Sequence, residues 1–250
     1  MDLGIEGRVA LVLGASRGLG RAIAVALAGE GTRIALAARS ADALEETAVA
    51  IGSNAVALAV DTGDAGSVAA LPGRVREALG PVEILVLNTG GPPAGGALEH
   101  DVDEWLDAYR SLVLAPLILA RECVPGMREH GWGRIVNVSS TSIREPIPGL
   151  TLSNANRMAA EGFLATLARE VAADGVTVNT VATGRFGTER LRSLYGSEEQ
   201  AEAHARDDVP AGRLGRPGEY GDLVAFICSD RAAYLTGTVI PLDGGLTRSS

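Results

Sequence analysis

Apolar residues along this chain fall into short unbroken runs separated by longer stretches with helical spacing. The runs Val9–Leu13, Arg33–Ala37, Ala55–Val60, Ile84–Leu87, Arg134–Val138, Val176–Asn179 and Val239–Leu242 predict strands. Because they are continuously apolar rather than alternating, they should be buried on both faces, as in a parallel sheet covered by helices. Helix candidates lie between them at about 18–30, 41–52, 65–79, 101–129, 154–174 and 217–229. Such alternation predicts an α/β doubly wound domain with its ligand site where loops leave the carboxyl ends of the strands. No linker or composition break divides residues 1–250, so one domain is expected. The rhythm fails only from Gly184 to Gly215, where charged clusters (Glu198-Glu199, Asp207-Asp208) flank a helical-looking piece from Glu198 to Ala205. An irregular segment of that length predicts a lid over a site, about 184–215.

The first strand is followed at once by Gly14-Ala15-Ser16-Arg17-Gly18-Leu19-Gly20 and then a helical run. Glycines at this turn let backbone pass close to a pyrophosphate, and the helix start offers unpaired N–H groups and the positive end of its dipole. The spacing is G-x-x-x-G-x-G, and its place between the first strand and first helix points to a Rossmann-type nucleotide site with Gly14, Ser16, Gly18, Leu19 and Gly20 around the phosphates. An NAD site usually carries an acid at the end of the second strand, for the ribose hydroxyls. Here that strand ends Ala37-Ala38-Arg39-Ser40, and Arg17 supplies a second base. A 2′-phosphate is therefore expected, and NADP(H) is favoured over NAD(H).

Composition narrows the chemistry. All 22 basic residues of the 250 are arginine, which excludes Schiff-base chemistry, pyridoxal anchoring and a phosphate-loop lysine. With 31 Asp+Glu the formal charge is -9, so no nucleic-acid partner is expected, and a small-molecule substrate is. Cys123 and Cys228 show no disulfide or metal spacing and fall on apolar helix faces, so they predict inert packing in a reducing cytoplasm and no metal site. The start Met1-Asp2-Leu3 lacks the basic cluster of a signal peptide, and the longest apolar stretch, Leu112–Ala120, is too short to span a bilayer. A soluble protein with no membrane partner is the expectation. His100, His130 and His204 lack ligand spacing and are expected on the surface, while the acidic run Glu99–Glu104 should cap the helix that follows.

Taken in order, these motifs resemble those of the short-chain dehydrogenase/reductase family from about Gly7 to Gly245. Val60-Asp61-Thr62 is similar to the family's adenine-contacting aspartate after the third strand, and Asn88-Thr89-Gly90-Gly91 to its Asn-Asn-Ala-Gly motif. Arg134-Ile135-Val136-Asn137-Val138-Ser139-Ser140 resembles the fifth strand with its active-site serine. Asn179-Thr180-Val181-Ala182-Thr183-Gly184 resembles Asn-x-Val-x-Pro-Gly with Thr183 in the proline position, and Thr188 matches the threonine at the nicotinamide amide. Leu235-Thr236-Gly237 and Leu242-Asp243-Gly244-Gly245 complete the set. The resemblance implies an oxidoreductase of carbonyl or alcohol substrates, in the range of 3-oxoacyl thioesters and small ketones. It also implies a homo-oligomer, tetramer or dimer, assembled through the helices near 101–129 and 154–174 and the C-terminal strand.

The family attributes catalysis to Asn, Ser, Tyr and Lys, and here only Ser140 keeps its identity. Where Tyr-x-x-x-Lys should stand, the chain reads Ser153-Asn154-Ala155-Asn156-Arg157, in a register fixed by Ala160-Glu161-Gly162-Phe163. The asparagine position falls at Ser111. Arg157 can hold the cofactor ribose and a positive charge, but its pKa is too high to relay a proton, and an aliphatic hydroxyl is a far weaker acid than a phenol. If hydride transfer occurs, the proton must come through water or from Glu145, Arg144 or Tyr195. Two other functions are compatible with this site: a nucleotide-binding sensor or hetero-oligomer subunit without catalysis, and a lyase or isomerase on the same scaffold.

Overall fold

The computed structural model describes residues 1–248. Seven parallel strands form one sheet in the order β3-β2-β1-β4-β5-β6-β7. They are β1 (Val9–Leu13), β2 (Arg33–Ala38), β3 (Ala55–Ala59), β4 (Ile84–Leu87), β5 (Gly133–Val138), β6 (Val176–Thr183) and β7 (Val239–Leu242). The order reverses between β1 and β4, which run in register with Leu11 beside Leu85, and this switch point opens the crevice at the carboxyl ends.

The doubly apolar strands have helices on both faces, as their lack of alternation requires. On β1, Val9, Leu11 and Leu13 pack among residues of α3 (Ala65–Ala78), α5 (Ala115–Glu129) and α6 (Thr151–Val171). Its alternate residues Ala10 and Val12 pack among α1 (Gly18–Gly29), α2 (Ala41–Ile51) and α9 (Pro217–Ile227). A Cβ on Gly221 of α9 would lie 2.6 Å from the Ala22 carbonyl oxygen of α1, so these two helices approach backbone to backbone. At the amino ends of the strands the Trp132 ring sits between two guanidiniums, Arg8 at 4.0 Å and Arg134 at 4.3 Å, and its Nε1 donates to Asp230 at 2.8 Å.

Four elements differ from the sequence expectation, one being β6, which continues past the expected Asn179 to Thr183. The helix expected over 101–129 is α4 (Val102–Tyr109), a π-turn over Arg110–Leu114 and α5; Pro116, with no N–H to give, follows directly after the widened turn. α6 begins at Thr151, three residues earlier than expected, and closes at Val171 into a 3-10 turn over Ala172–Asp174. The 184–215 segment is not irregular: it holds α7 (Glu189–Tyr195), capped by Thr188, and α8 (Glu198–Asp208), capped by Ser197, and a bridge between Phe186 and Gly215 closes its base.

The acidic run does cap α4, through a reciprocal box in which the Asp101 side chain accepts from the Glu104 N–H while Glu104 accepts from the Asp101 N–H. His100 is not a surface residue. Its side chain is 4% exposed, with Nδ1 3.2 Å from Glu104, because the loop through Gly95 folds over it. His130 and His204 are exposed. The Leu112–Ala120 run is mostly core, with Leu112, Val113, Ala115, Leu119 and Ala120 buried within the chain itself. Among the described residues no helix is long and apolar enough to cross a membrane, and no cluster of His, Cys, Asp or Glu could hold a metal ion.

Candidate active site

One crevice of about 1670 Å³ runs along the carboxyl ends of the strands, from Ala38, Arg39 and Ser40 past the glycine loop to Ser140, Ser153 and Arg157. Its volume exceeds the roughly 300–1,000 Å³ of an ordinary small-molecule pocket and suits two ligands end to end.

At the first end, Gly14 (φ 61°) and Gly18 (φ 57°) adopt left-handed backbone that other residues rarely take. A Cβ on Gly14 would lie 2.6 Å from the Asn88 carbonyl oxygen. Gly20 does not line the crevice; it lets α1 close onto the Gly14 carbonyl, with which a Cβ there would collide. Arg17 occupies the N-cap position of α1 without any side-chain cap, so the helix presents its first amides uncapped to the crevice. The Arg17 side chain instead meets Glu189 at 2.6 Å. Arg39 lines the crevice and makes no hydrogen bond or ion pair with the described residues. Asp61 takes the Gly63 N–H in a local turn at 3.0 Å, beside Thr62. Asn88, Gly90, Gly184 and Thr188 also line this space.

At the other end, Ser153 and Arg157 lie one turn apart on α6. The Arg157 Nε donates to Ser153 Oγ at 3.1 Å and its Nη1 donates to the Val138 carbonyl at 3.1 Å. Burial pushes the guanidinium down to about 10, against attraction from the nearby Tyr220 phenolic group, and the Arg190 charge lowers it further. Ser140 caps the short turn after β5, its Oγ accepting the Ser142 N–H at 3.1 Å. Each serine oxygen thus accepts from an N–H, and neither hydroxyl donates to another described residue. Ser111 lies in the π-turn, where its hydroxyl donates to the Asp107 carbonyl at 3.0 Å.

The three sequence-derived proton sources fare differently. Arg144 does not line the crevice; its Nη2 donates to the Val239 carbonyl at 3.2 Å. Glu145 lines it and takes the Arg248 N–H at 2.7 Å. Tyr195 lines it from α7, its ring 4.8 Å from that of His204. Two further residues carry no sequence signal. Tyr220 on α9 is fully buried, 2.9 Å from Thr183 Oγ1, and burial raises its phenol, so it is a poor acid. Arg190 on α7 lines the crevice and donates through Nη2 to the Pro92 carbonyl at 2.8 Å.

The family model described as enoyl-(acyl carrier protein) reductase matches residues 14–247, from the glycine loop to the residues beyond β7. The chain belongs to the short-chain dehydrogenase/reductase family. The 3-oxoacyl-[acyl-carrier-protein] reductase FabG of Pseudomonas aeruginosa is 36% identical over 250 residues, covering 99% of this chain and 100% of the relative. FabG of Vibrio cholerae is 36% identical over 244 residues, 98% of this chain and 99% of the relative. Among solved structures, L-sorbose reductase from Gluconobacter frateurii, complexed with NADPH and L-sorbose, superposes with a TM-score of 0.95 at 32% identity over all of both chains. A variant of actinorhodin polyketide ketoreductase with NADPH gives 0.91 at 32%, over 96% of this chain and 97% of that one. Within this short-chain dehydrogenase/reductase, Ser153 and Arg157 stand one helical turn apart on α6.

Proposed function

We propose that this chain is an NADP(H)-dependent oxidoreductase of a carbonyl or alcohol substrate that polarises the substrate oxygen with two serine hydroxyls instead of protonating it with a phenol. The observation that carries the reading is a crevice that joins an adenosine end, where β2 runs out into Arg39 instead of an acid, to the Ser140–Ser153–Arg157 end. The residues fit the cofactor: α1 offers uncapped N–H groups behind two glycines, and Arg39 has donors free for a 2′-phosphate. When bound, NADPH supplies the hydride.

The chain's own residues do the rest. Arg157 and the Ser142 N–H occupy acceptor sites on Ser153 Oγ and Ser140 Oγ, which leaves both O–H groups as donors for a carbonyl oxygen in the crevice. Fixed donors of this kind stabilise the oxyanion that develops as hydride arrives. The Arg157 charge, half-buried in the crevice wall, adds to that field, and with no near-neutral acid among these groups the proton is assigned to solvent. The 184–215 segment acts as the lid, with Leu191, Leu194 and Tyr195 of α7 facing the substrate end. Substrates are 3-oxoacyl thioesters or small ketones, the classes that the FabG relatives and the ketose and polyketide reductases bracket. A second copy of the chain is assigned to the α4–α6 side, where Val102, Leu106, Tyr109 and Met158 are exposed.

Two measurements test this. In fluorescence titrations NADPH should bind more tightly than NADH; tighter NADH binding sinks the 2′-phosphate assignment. NADPH oxidation with a panel of ketones and 3-oxoacyl thioesters should be lost in Ser140→Ala. No turnover by the natural chain, but turnover by Ser153→Tyr/Arg157→Lys, would instead establish a nucleotide-binding protein without catalysis.

A further inference from the structure

Arg190 is a lid residue whose side chain reaches the backbone after β4. Its guanidinium lies flat on the backbone after β4. A Cβ on Gly91 would be 2.9 Å from Nε and from Nη2 and 3.0 Å from Cζ, so position 91 must lack a side chain for the guanidinium to rest there. The Gly91 backbone itself does not require glycine, since its φ lies outside the left-handed region. One donor holds the Pro92 carbonyl at 2.8 Å. The other four lid arginines are paired, Arg185 with Asp208 at 2.6 Å, Arg192 with Glu198 at 2.9 Å, Arg206 with Glu202 at 3.9 Å and Arg213 with Glu219 at 2.8 Å. Arg190 has no carboxylate partner among the described residues, and its charge acts on Arg157 from the same crevice. Gly18 and Leu19, which open α1, line the same crevice, and Thr188 Cγ2 at the root of the lid lies 3.6 Å from where a Gly18 Cβ would be.

We infer that Arg190 is a cofactor-binding residue: with the lid down, its free guanidinium donors take the dinucleotide pyrophosphate from the side opposite the α1 amides. The inference rests on the NADP(H) reading and adds to it a cation from outside the glycine loop, whose own Arg17 is paired with Glu189. An unpaired guanidinium and a helix start facing one gap leave a positive field that a diphosphate satisfies, and a planar fork matches its oxygens. Gly91 is then a positioning residue, which acts only by leaving room for Arg190.

The test uses the full chain and three probes: NADPH, ADP, which has the diphosphate but no nicotinamide, and adenosine 2′-monophosphate, which lacks the diphosphate. Arg190→Ala should weaken NADPH and ADP by about tenfold or more, the loss of a charge-assisted contact, and leave adenosine 2′-monophosphate unchanged. Gly91→Ala should weaken the same two ligands, and in the Arg190→Ala background it should add nothing, because the two changes remove one interaction. Unchanged NADPH affinity in Arg190→Ala overturns the inference, as does an equal loss for adenosine 2′-monophosphate. If the natural chain binds neither NADPH nor NADH, the nucleotide reading falls and this inference with it. If NADH is preferred, only the 2′-phosphate assignment falls, and the Arg190 comparison is made with NADH in place of NADPH.

Discussion

Arg157→Met should make the chain more stable and leave it inactive. Burial holds the guanidinium at about 10 against its ordinary 12.5, so the protonated form is disfavoured in the fold. At roughly 1.4 kcal/mol per unit, carrying that charge at neutral pH costs at most about 3 kcal/mol, less where water reaches the crevice. The sign follows from linkage. Between about 10 and 12.5 the unfolded chain binds the proton and the folded chain has begun to release it, so stability from this group rises with pH there and is flat near pH 7. Methionine keeps a stem of similar length and carries no charge. Against the relief stands the loss of two hydrogen bonds, to Val138 and Ser153, at about 1 kcal/mol each net. The balance is a gain of about 1 kcal/mol, which should appear as a higher urea midpoint at unchanged slope, measured without nucleotide. Replacement of a buried ion by an apolar side chain has this character in general, whereas removal of only the acceptor does not. Ser153→Ala should therefore destabilise by about 1–2 kcal/mol, since it strips a partner from a charge that remains. A less stable Arg157→Met, or a Ser153→Ala as stable as the natural chain, would refute the claim that this arginine is retained for function at a cost to the fold.

Other outcomes follow from the same geometry. Arg39→Ala should weaken NADPH by about ten- to a hundredfold and leave NADH unchanged, measured by titration, because Arg39 has no partner among the described residues to compensate. Gly20→Ala should abolish binding of both dinucleotides and lower stability by more than about 2 kcal/mol in denaturant, since the added Cβ collides with backbone that cannot retreat. Glu161 has a raised carboxyl, chiefly through burial, with a hydrogen bond from Thr180 opposing. Its contribution to stability is present at low pH and is lost as pH rises from 4.5 through the folded value, so Glu161→Gln should flatten that part of a stability–pH curve and be neutral or stabilising at pH 7.

The strands were legible because a doubly buried parallel strand has nothing but aliphatic residues to show, as in Val9–Leu13. Where a strand end turns polar, legibility stops: β6 continues to Thr183 through residues whose pairing with β7 no local pattern announces. α7 escaped detection because it is seven residues long, held by a Thr188 cap and by contacts with α8 instead of by a periodic apolar face. The early start of α6 is similar, since Thr151, Ser153 and Asn154 are poor helix formers that tertiary packing overrides. At the site, the residues converging on the crevice could be named from motif spacing, but the senses of their hydrogen bonds could not. Burial hides both His100 and Tyr220 from pattern reading: the fold-back of the loop through Gly95 covers the first, and the second meets Thr183, far away in the chain.

The two cysteines bear on how the lid can be studied. Cys123 and Cys228 are enclosed, with burial pushing both thiols up to about 12, and the chain has no lysine side chain to compete for electrophiles. A single cysteine introduced at exposed Glu199, on the outer face of α8, would therefore be the one side chain that thiol-reactive dyes find quickly. The protein supplies a nearly silent chemical background, on which one dye can report lid position as nucleotide is added.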